Sequence, residues 1–279
     1  MHSRVWNNAK LGVLNVVSRT KRRMIGPHVE ALLVSSKNGL FLVDVEDQTV
    51  GRKLSYNGEY GLDELARLQS AISPQSHVLV VGTHIGTIAV AISKHCAQLT
   101  AIEANPKTFR FLELNLLINA CANVRAINIA ASDKREAIQF VMNRTNSGGS
   151  KRLPVHRDYA YFYDSPEVIS VNAVPLDELL AGQSFEAILM DIEGSEYFAL
   201  KGMQTLLASA RVLFMEFVPH HLKNVSGVSV PELLSTVTPH FSHLFIPSKN
   251  LRLSQEQFVP ALQGMFDNDE SDDGLEFSK

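Results

Sequence analysis

The apolar run Phe185-Glu-Ala-Ile-Leu-Met190 stops at three crowded carboxylates, Asp191-Ile-Glu-Gly-Ser-Glu196. Beyond them Ala199, Met203, Leu206 and Leu207 recur at i, i+4, i+7 and i+8, one face of a helix. The acids therefore occupy a strand-to-helix turn. In an open α/β sheet ligands bind beyond the carboxyl ends of the strands, which makes such a turn a candidate site. The same residues also suit an ordinary helix start, with Asp191 or Ser195 as N-cap and acids favoured by the helix dipole.

A second unit of this kind lies upstream. Val78-Leu-Val-Val81 has the character of a buried strand, and Gly82-Thr-His-Ile-Gly86 opens a helix whose apolar face is Ile85, Ile88, Ala89 and Ile92. Glycines allow close backbone approach, and a helix start offers free N–H groups to an anionic or carboxylate-bearing ligand. Leu99-Thr-Ala-Ile-Glu103 is then a further strand ending in an acid. Glu103 stands twenty-one residues after Gly82, close to the separation at which a carboxylate meets the ribose of a nucleotide. Asn105 and Pro106 suit the N-cap and first position of the next helix, through Phe109, Leu112, Leu116 and Leu117. His84 and Thr87 stand where a dinucleotide fingerprint requires glycine, and no phosphate-binding G-x-x-x-x-G-K-[ST] occurs. A ligand with a ribose and no phosphate fits better than NAD, ATP or GTP.

These segments together resemble the FkbM family of S-adenosylmethionine-dependent methyltransferases, over roughly residues 31 to 217. The pieces are Val78-Leu-Val-Val-Gly-Thr-His-Ile-Gly86, Glu103-Ala-Asn-Pro106, Asn115 with Asn119, Ala130-Ala-Ser-Asp133, Val174-Pro-Leu-Asp-Glu-Leu179, Asp191-Ile-Glu-Gly-Ser-Glu196, Leu200-Lys-Gly202 and Glu216. The Asp-x-Glu-Gly-x-Glu turn followed by Leu-Lys-Gly is the most specific. The resemblance implies an α/β fold: a Rossmann-like class I methyltransferase sheet, mostly parallel and seven-stranded. It also implies S-adenosylmethionine as cofactor. Gly82, His84 and Gly86 would lie along its methionine side with Asp191 close by, Glu103 would hold the ribose hydroxyls, and Ser132 and Asp133 would lie near the adenine. Two residues depart from the family pattern: Val80 stands where an acid is usual, and His84 where asparagine is usual.

The 279 residues, 45% of them apolar, are enough for one α/β domain with a sizeable core. Residues 1–30 are expected to form a basic N-terminal segment, 31–75 a small β meander with a helix cap, 76–264 the methyltransferase domain, and 265–279 an acidic disordered tail. The two cysteines, Cys96 and Cys121, lack metal-ligand spacing, and no metal is assigned. No apolar run is long enough to span a bilayer and no signal peptide is evident, so a cytoplasmic protein is expected. Net charge is only −3, unevenly spread. The first twenty-five residues carry Arg4, Lys10, Arg19, Lys21, Arg22 and Arg23 with no acid. Val13, Val16 and Val17 give this basic start the makings of a membrane-surface helix, against the plainer reading of a solvated tail.

The antiparallel meander is read from Ala31-Leu-Leu-Val34, Leu40-Phe-Leu-Val43 and Val50-Gly-Arg-Lys-Leu54, with Asn38-Gly39 as a hairpin turn. Tyr56, Glu59 and Tyr60 follow it as candidate substrate-pocket residues. Ile138-Gln-Phe-Val141 is expected to pair with Val168–Val174. Between them a polar excursion containing Lys151, Arg152, His156, Arg157, Tyr159, Tyr161, Phe162 and Tyr163 is either a substrate lid or disordered. The strand Val212–Phe217 carries Glu216 and leads to His220 and His221 at the ligand edge.

Methyl transfer to a hydroxyl needs alignment and a base, for which Asp191, Glu193 and His220 are the candidates. A divalent metal on Asp191, Glu193 and Glu216 is a lesser alternative. The acceptor is expected to be a small molecule or glycan, with O-methylation the reaction. An RNA methyltransferase is the rival favoured by the basic N-terminus and the Lys151–Arg157 loop, although nucleic acid fits poorly with the balanced charge. A non-catalytic methyltransferase-like protein, its cofactor site lost through Val80, is the third reading. Oligomeric state is not legible.

Overall fold

The computed structural model describes the backbone of residues 2–279 and the side chains from residue 8 onward. The chain begins with a long helix, α1 (His2–Ile25), and a hairpin, β1 (Ala31–Ser36) and β2 (Gly39–Asp44), turned at Asn38-Gly39. The third expected piece of the meander is a helix instead, α2 (Val50–Asn57). The Asp47 carboxylate accepts the N–H groups of Thr49 and Gly51 at 2.8 and 3.1 Å, which starts the helix. Val50 and Leu54 are apolar at i, i+4 as well as at strand spacing, and both are buried.

After α3 (Leu62–Ser70) the chain alternates strand and helix: β3 (His77–Val81), α4 (Thr87–Ile92), β4 (Gln98–Glu103), α5 (Pro106–Ile118) and β5 (Val124–Asn128). Asn105 caps α5 by accepting the Lys107 N–H, with Pro106 in the first turn. A small second sheet follows from β6 (Ala130–Ala131), β7 (Glu136–Met142), β8 (Lys151–Arg152) and β9 (Glu167–Val174), with the short helix α6 (Tyr159–Phe162) between the last two. Its order is β6-β9-β7-β8, with the expected pairing of β7 and β9 antiparallel. The polar excursion is therefore an ordered edge strand and helix.

The main sheet resumes with α7 (Leu176–Leu179), β10 (Ala187–Met190), α8 (Glu196–Lys201), α9 (Gln204–Ser209) and β11 (Val212–Phe217). Then come α10 (Pro219–His221), α11 (Val230–Ser235), β12 (His243–Ile246), β13 (Leu251–Ser254), α12 (Phe258–Asp267) and β14 (Asp272–Ser278). The order is β13-β12-β14-β11-β10-β3-β4-β5, eight strands, the edge strand β13 exceeding the expected seven. Strands β5, β4, β3, β10 and β11 are parallel, and β14 runs antiparallel to both β11 and β12.

The tail expected to be disordered thus supplies an interior strand. Leu275 and Phe277 alternate among acids and are fully buried, one register of apolar residues that outweighs the charge around them. Both faces of the sheet are covered. Leu79 and Val81 of β3 pack with Leu200, Leu206 and Leu213, whereas Val78 and Val80 pack with Ile88, Leu112 and Phe214 on the other side. Strand order reverses between β3 and β10, so the turns that follow these two strands emerge side by side.

Candidate active site

The turn after β3 is held by its neighbour β4. Gly82 and Thr83 donate their N–H groups to the Ile102 carbonyl at 2.9 and 3.0 Å, and the Thr83 hydroxyl donates to the carbonyls of Val80 and Ile102. One oxygen of Glu103 accepts the His84 N–H at 2.7 Å, and the other accepts the Asn105 N–H at 2.8 Å and the Thr108 hydroxyl at 3.0 Å. His84 has φ 53, in the left-handed region that histidine tolerates better than most side chains. Val80 is buried, and the turn is tied down by Ile102 and Glu103 without an acid at that position.

Gly82, at φ +87, lies so close to the acid turn that a Cβ would sit 1.7 Å from the Asp191 carbonyl oxygen. The two turns meet only because this residue is glycine. Gly86 acts on packing instead. A Cβ there would stand 2.8 Å from Leu112, so the absence of a side chain lets α4 pack on α5.

In the acid turn Glu193 and Gly194 are both left-handed, at φ 57 and 98. Glu196 steadies it by accepting the N–H groups of Ile192 and Gly194 at 3.1 and 3.3 Å. Lys151, brought by the two-residue strand β8, donates to Glu193 at 2.8 Å and to His221 Nε2 at 3.2 Å. That bond leaves the imidazole proton on Nδ1, which is buried without a hydrogen-bond partner, 3.4 Å from Glu193 and 3.7 Å from Glu216.

Asp191 is open to the cavity and Glu216 is half-buried, yet the protein enclosing them pushes both well above the usual carboxylate range, and neighbouring acids push further: Glu216, Glu193 and Glu196 on Asp191, and Glu193 and Glu196 on Glu216. Burial raises Glu196 too. Burial acts in the same direction on Glu193, but the charge and hydrogen bond of the Lys151 ammonium prevail and hold it below its ordinary value. Burial and the Lys151 ammonium bring His221 down to about 4, so its ring is neutral at pH 7. Glu193, Glu216 and His221 are grouped as metal ligands often are, in a set that contains His221 where the sequence suggested Asp191. The Lys151 ammonium already supplies the positive charge at this spot.

A cavity of about 980 Å³ opens where the turns converge. Its walls include Val80, Gly82, His84 and Glu103 from the first unit, Asp191 and Glu193 from the acid turn, Glu216 from β11, and Glu59, Tyr60, Glu64 and Arg67 at α3. Asp272 and Asp273 of β14 border it as well. Burial lifts Glu64 to about 7.

Several of the expected site residues, the exposed Tyr56 among them, are not in the cavity wall. Gly86 is a packing glycine. The segment 130–133 contributes Ala130 and Ala131, whereas Ser132 is buried against Asp133 and Glu136, and Asp133 turns to Lys201 at 3.0 Å. His220 is turned to the Tyr161 hydroxyl at 2.7 Å and to Asp158 at 3.6 Å. The histidine beside the acids is His221. Lys151 is read from sequence only as part of a polar loop, and its place beside Glu193 follows from the pairing of β8 with β7.

A mostly parallel sheet with a switch between β3 and β10, an antiparallel interior strand and a cleft at the switch defines a class I methyltransferase-type α/β protein. The methyltransferase FkbM domain model matches residues 81–244, more than half of the chain, and the chain belongs to that family. No curated protein matches it. Similar solved structures include methyltransferase FkbM from Methylobacillus flagellatus KT, at 16% identity over 75% of this chain and 44% of that one, with a TM-score of 0.43. Trm5b from Pyrococcus abyssi matches at 12% identity over 75% of this chain and 48% of that one, TM-score 0.40. An rRNA methylase from Streptococcus thermophilus matches at 11% identity over 78% and 94%, TM-score 0.44. The chain spans about half the length of the first two, 44% and 48%.

Proposed function

We propose that the cavity binds S-adenosylmethionine and that the protein transfers a methyl group to a hydroxyl of a small molecule or glycan. The observation that carries this reading is the meeting of the Gly82 turn, Glu103 and Asp191 at one cavity. Its volume of about 980 Å³ lies at the upper end of the roughly 300–1,000 Å³ of small-molecule sites, room for a cofactor together with an acceptor. Gly82 and His84 would border the methionine portion, Glu103 would accept from the ribose hydroxyls, and Ala130 and Ala131 would offer the adenine an apolar wall. When bound, S-adenosylmethionine supplies an electrophilic methyl group on a sulfonium that is its own leaving group.

The chain supplies alignment and the base. Asp191 is the group we assign to take the acceptor proton, since a carboxylate raised toward neutrality is a better-matched base than an ordinary one. After enclosure, the Glu216 carboxylate is the neighbour that raises it most. Glu193, kept ionised by Lys151, orients the pair, and His220 has no part at the cavity. Nine acidic side chains line the cavity against four lysine and arginine side chains, and even with Asp191, Glu216 and Glu64 raised toward their neutral forms this lining does not favour a polyanion, so a neutral or cationic acceptor fits better than RNA.

Titration calorimetry with S-adenosylmethionine tests the reading: binding heat is expected, and its absence together with no thermal shift would select the non-catalytic alternative. Glu103→Gln is expected to weaken the cofactor about ten- to a hundredfold, the worth of a charge-assisted hydrogen bond. Unchanged affinity would remove Glu103 from the site.

Asp191→Asn is expected to lower kcat by roughly 10²–10⁴ while raising the melting temperature at alkaline pH. The folded-state pKa of Asp191 is raised, so its contribution to stability is complete below the ordinary carboxylate pKa and is lost as pH rises through the folded value. An amide does not titrate and escapes that loss. Melting curves across pH, beside kcat, check both; undiminished turnover would end the assignment of Asp191 as base.

A further inference from the structure

Helix α1 carries apolar residues on two sides, only one of which meets the domain. The face it turns to the domain is mixed: Leu11 and Leu14 are half-buried on it, Asn15 bonds the Tyr163 carbonyl at 3.1 Å and Arg144 at 2.7 Å, and Ser18 bonds the Glu46 carbonyl at 2.8 Å and Arg144 at 3.1 Å. The opposite face is apolar and turned outward. Val13, Val16, Val17 and Met24 are 62, 65, 44 and 83% exposed, and at about 3.6 residues per turn they form one stripe. The same spacing sets Lys10 and Lys21 along one border of the stripe and Arg19 and Arg23 along the other, in a helix with no acid.

An apolar stripe held in water needs a cover. A second copy of α1 would bring the same uncompensated positive charge, and a nucleic acid would leave the valines wet. An anionic lipid surface answers both features, taking the apolar side chains between its headgroups and pairing the borders with phosphates. We propose that α1 lies on an anionic phospholipid bilayer and holds the methyltransferase domain at that surface. Tyr159, 48% exposed and beside α1 at Gly12, is a residue type suited to the headgroup level. Among the described residues no helix is long and apolar enough to cross the membrane, so the contact is one of surface.

The full chain is to be floated with phosphatidylcholine vesicles and with vesicles partly replaced by phosphatidylglycerol. It is expected to float with the second only, and less so as salt rises. Val13→Asp with Val16→Asp should lower the bound fraction at least about tenfold. Arg19→Glu with Arg23→Glu should lower it about fivefold or more per charge. All four side chains are exposed, so the melting temperature should not move. No flotation overturns the proposal, as does equal flotation with neutral vesicles or variants that float like the parent. A dimer dissociated by these variants without vesicle binding, or retention by RNA instead, also overturns it.

Discussion

Removing residues 270–279 is expected to leave a chain without a cooperative fold. Strand β14 is bonded to β11 on one side and β12 on the other, so its loss opens the sheet in the middle. Leu275 and Phe277 are fully buried, and emptying sites of their size costs about 2–5 kcal/mol each, against a total stability of roughly 5–15 kcal/mol. Far-UV circular dichroism during heating, with limited proteolysis beside it, reads the result. A truncated chain that melts cooperatively at the parent temperature would show that the acidic end is dispensable. The milder Phe277→Ala, which keeps the strand's backbone, should lower stability by about 3–5 kcal/mol.

Gly82→Ala should disable the site and destabilise the fold together. The new methyl group would fall 1.7 Å from the Asp191 carbonyl oxygen and 2.9 Å from Ile192, so the turn after β3 and the turn after β10 would have to separate. Overpacking of this kind typically costs about 1–3 kcal/mol, and the left-handed backbone adds about 1–2 kcal/mol for a residue with a Cβ. Cofactor affinity is expected to be lost with the geometry. Gly182→Ala is the control, since Gly182 has φ +76 and open space around it; it should show the backbone cost alone and leave binding intact. Denaturant titration and calorimetry on both variants separate the effects, and a Gly82→Ala protein that binds like the parent would mean the turns need not touch.

The units that build the site were legible because their signals are local. Val78–Val81 and Phe185–Met190 are short apolar runs, each ended by a turn of glycine or acid, and a strand-turn-helix unit can be read from periodicity alone. Asn105-Pro106 marked a helix start for the same reason. At Val50–Leu54 two periods fit one pattern, and the choice fell to Asp47, whose side chain starts the helix. At Asp272–Ser278 the density of acids suggested a solvated tail, although Leu275 and Phe277 alternate as a strand's residues do. Composition is a weaker guide than two neighbours willing to pair.

Sequence by itself determined the α/β class, the two crossover turns and the carboxylates Glu103, Asp191 and Glu193, since each depends on residues within one unit of chain. Only the tertiary structure decided which groups meet them. Lys151 arrives from an edge strand of a second sheet, forty-two residues from Glu193 in the chain. His221, not His220, faces the acids, because adjacent side chains on a turn point in different directions and only packing selects one. The electrostatics followed from that selection. Enclosure around the cavity raises Asp191 and Glu216 while one ammonium holds Glu193 down, and neither enclosure nor a partner from a distant segment is written in the local spacing of residues.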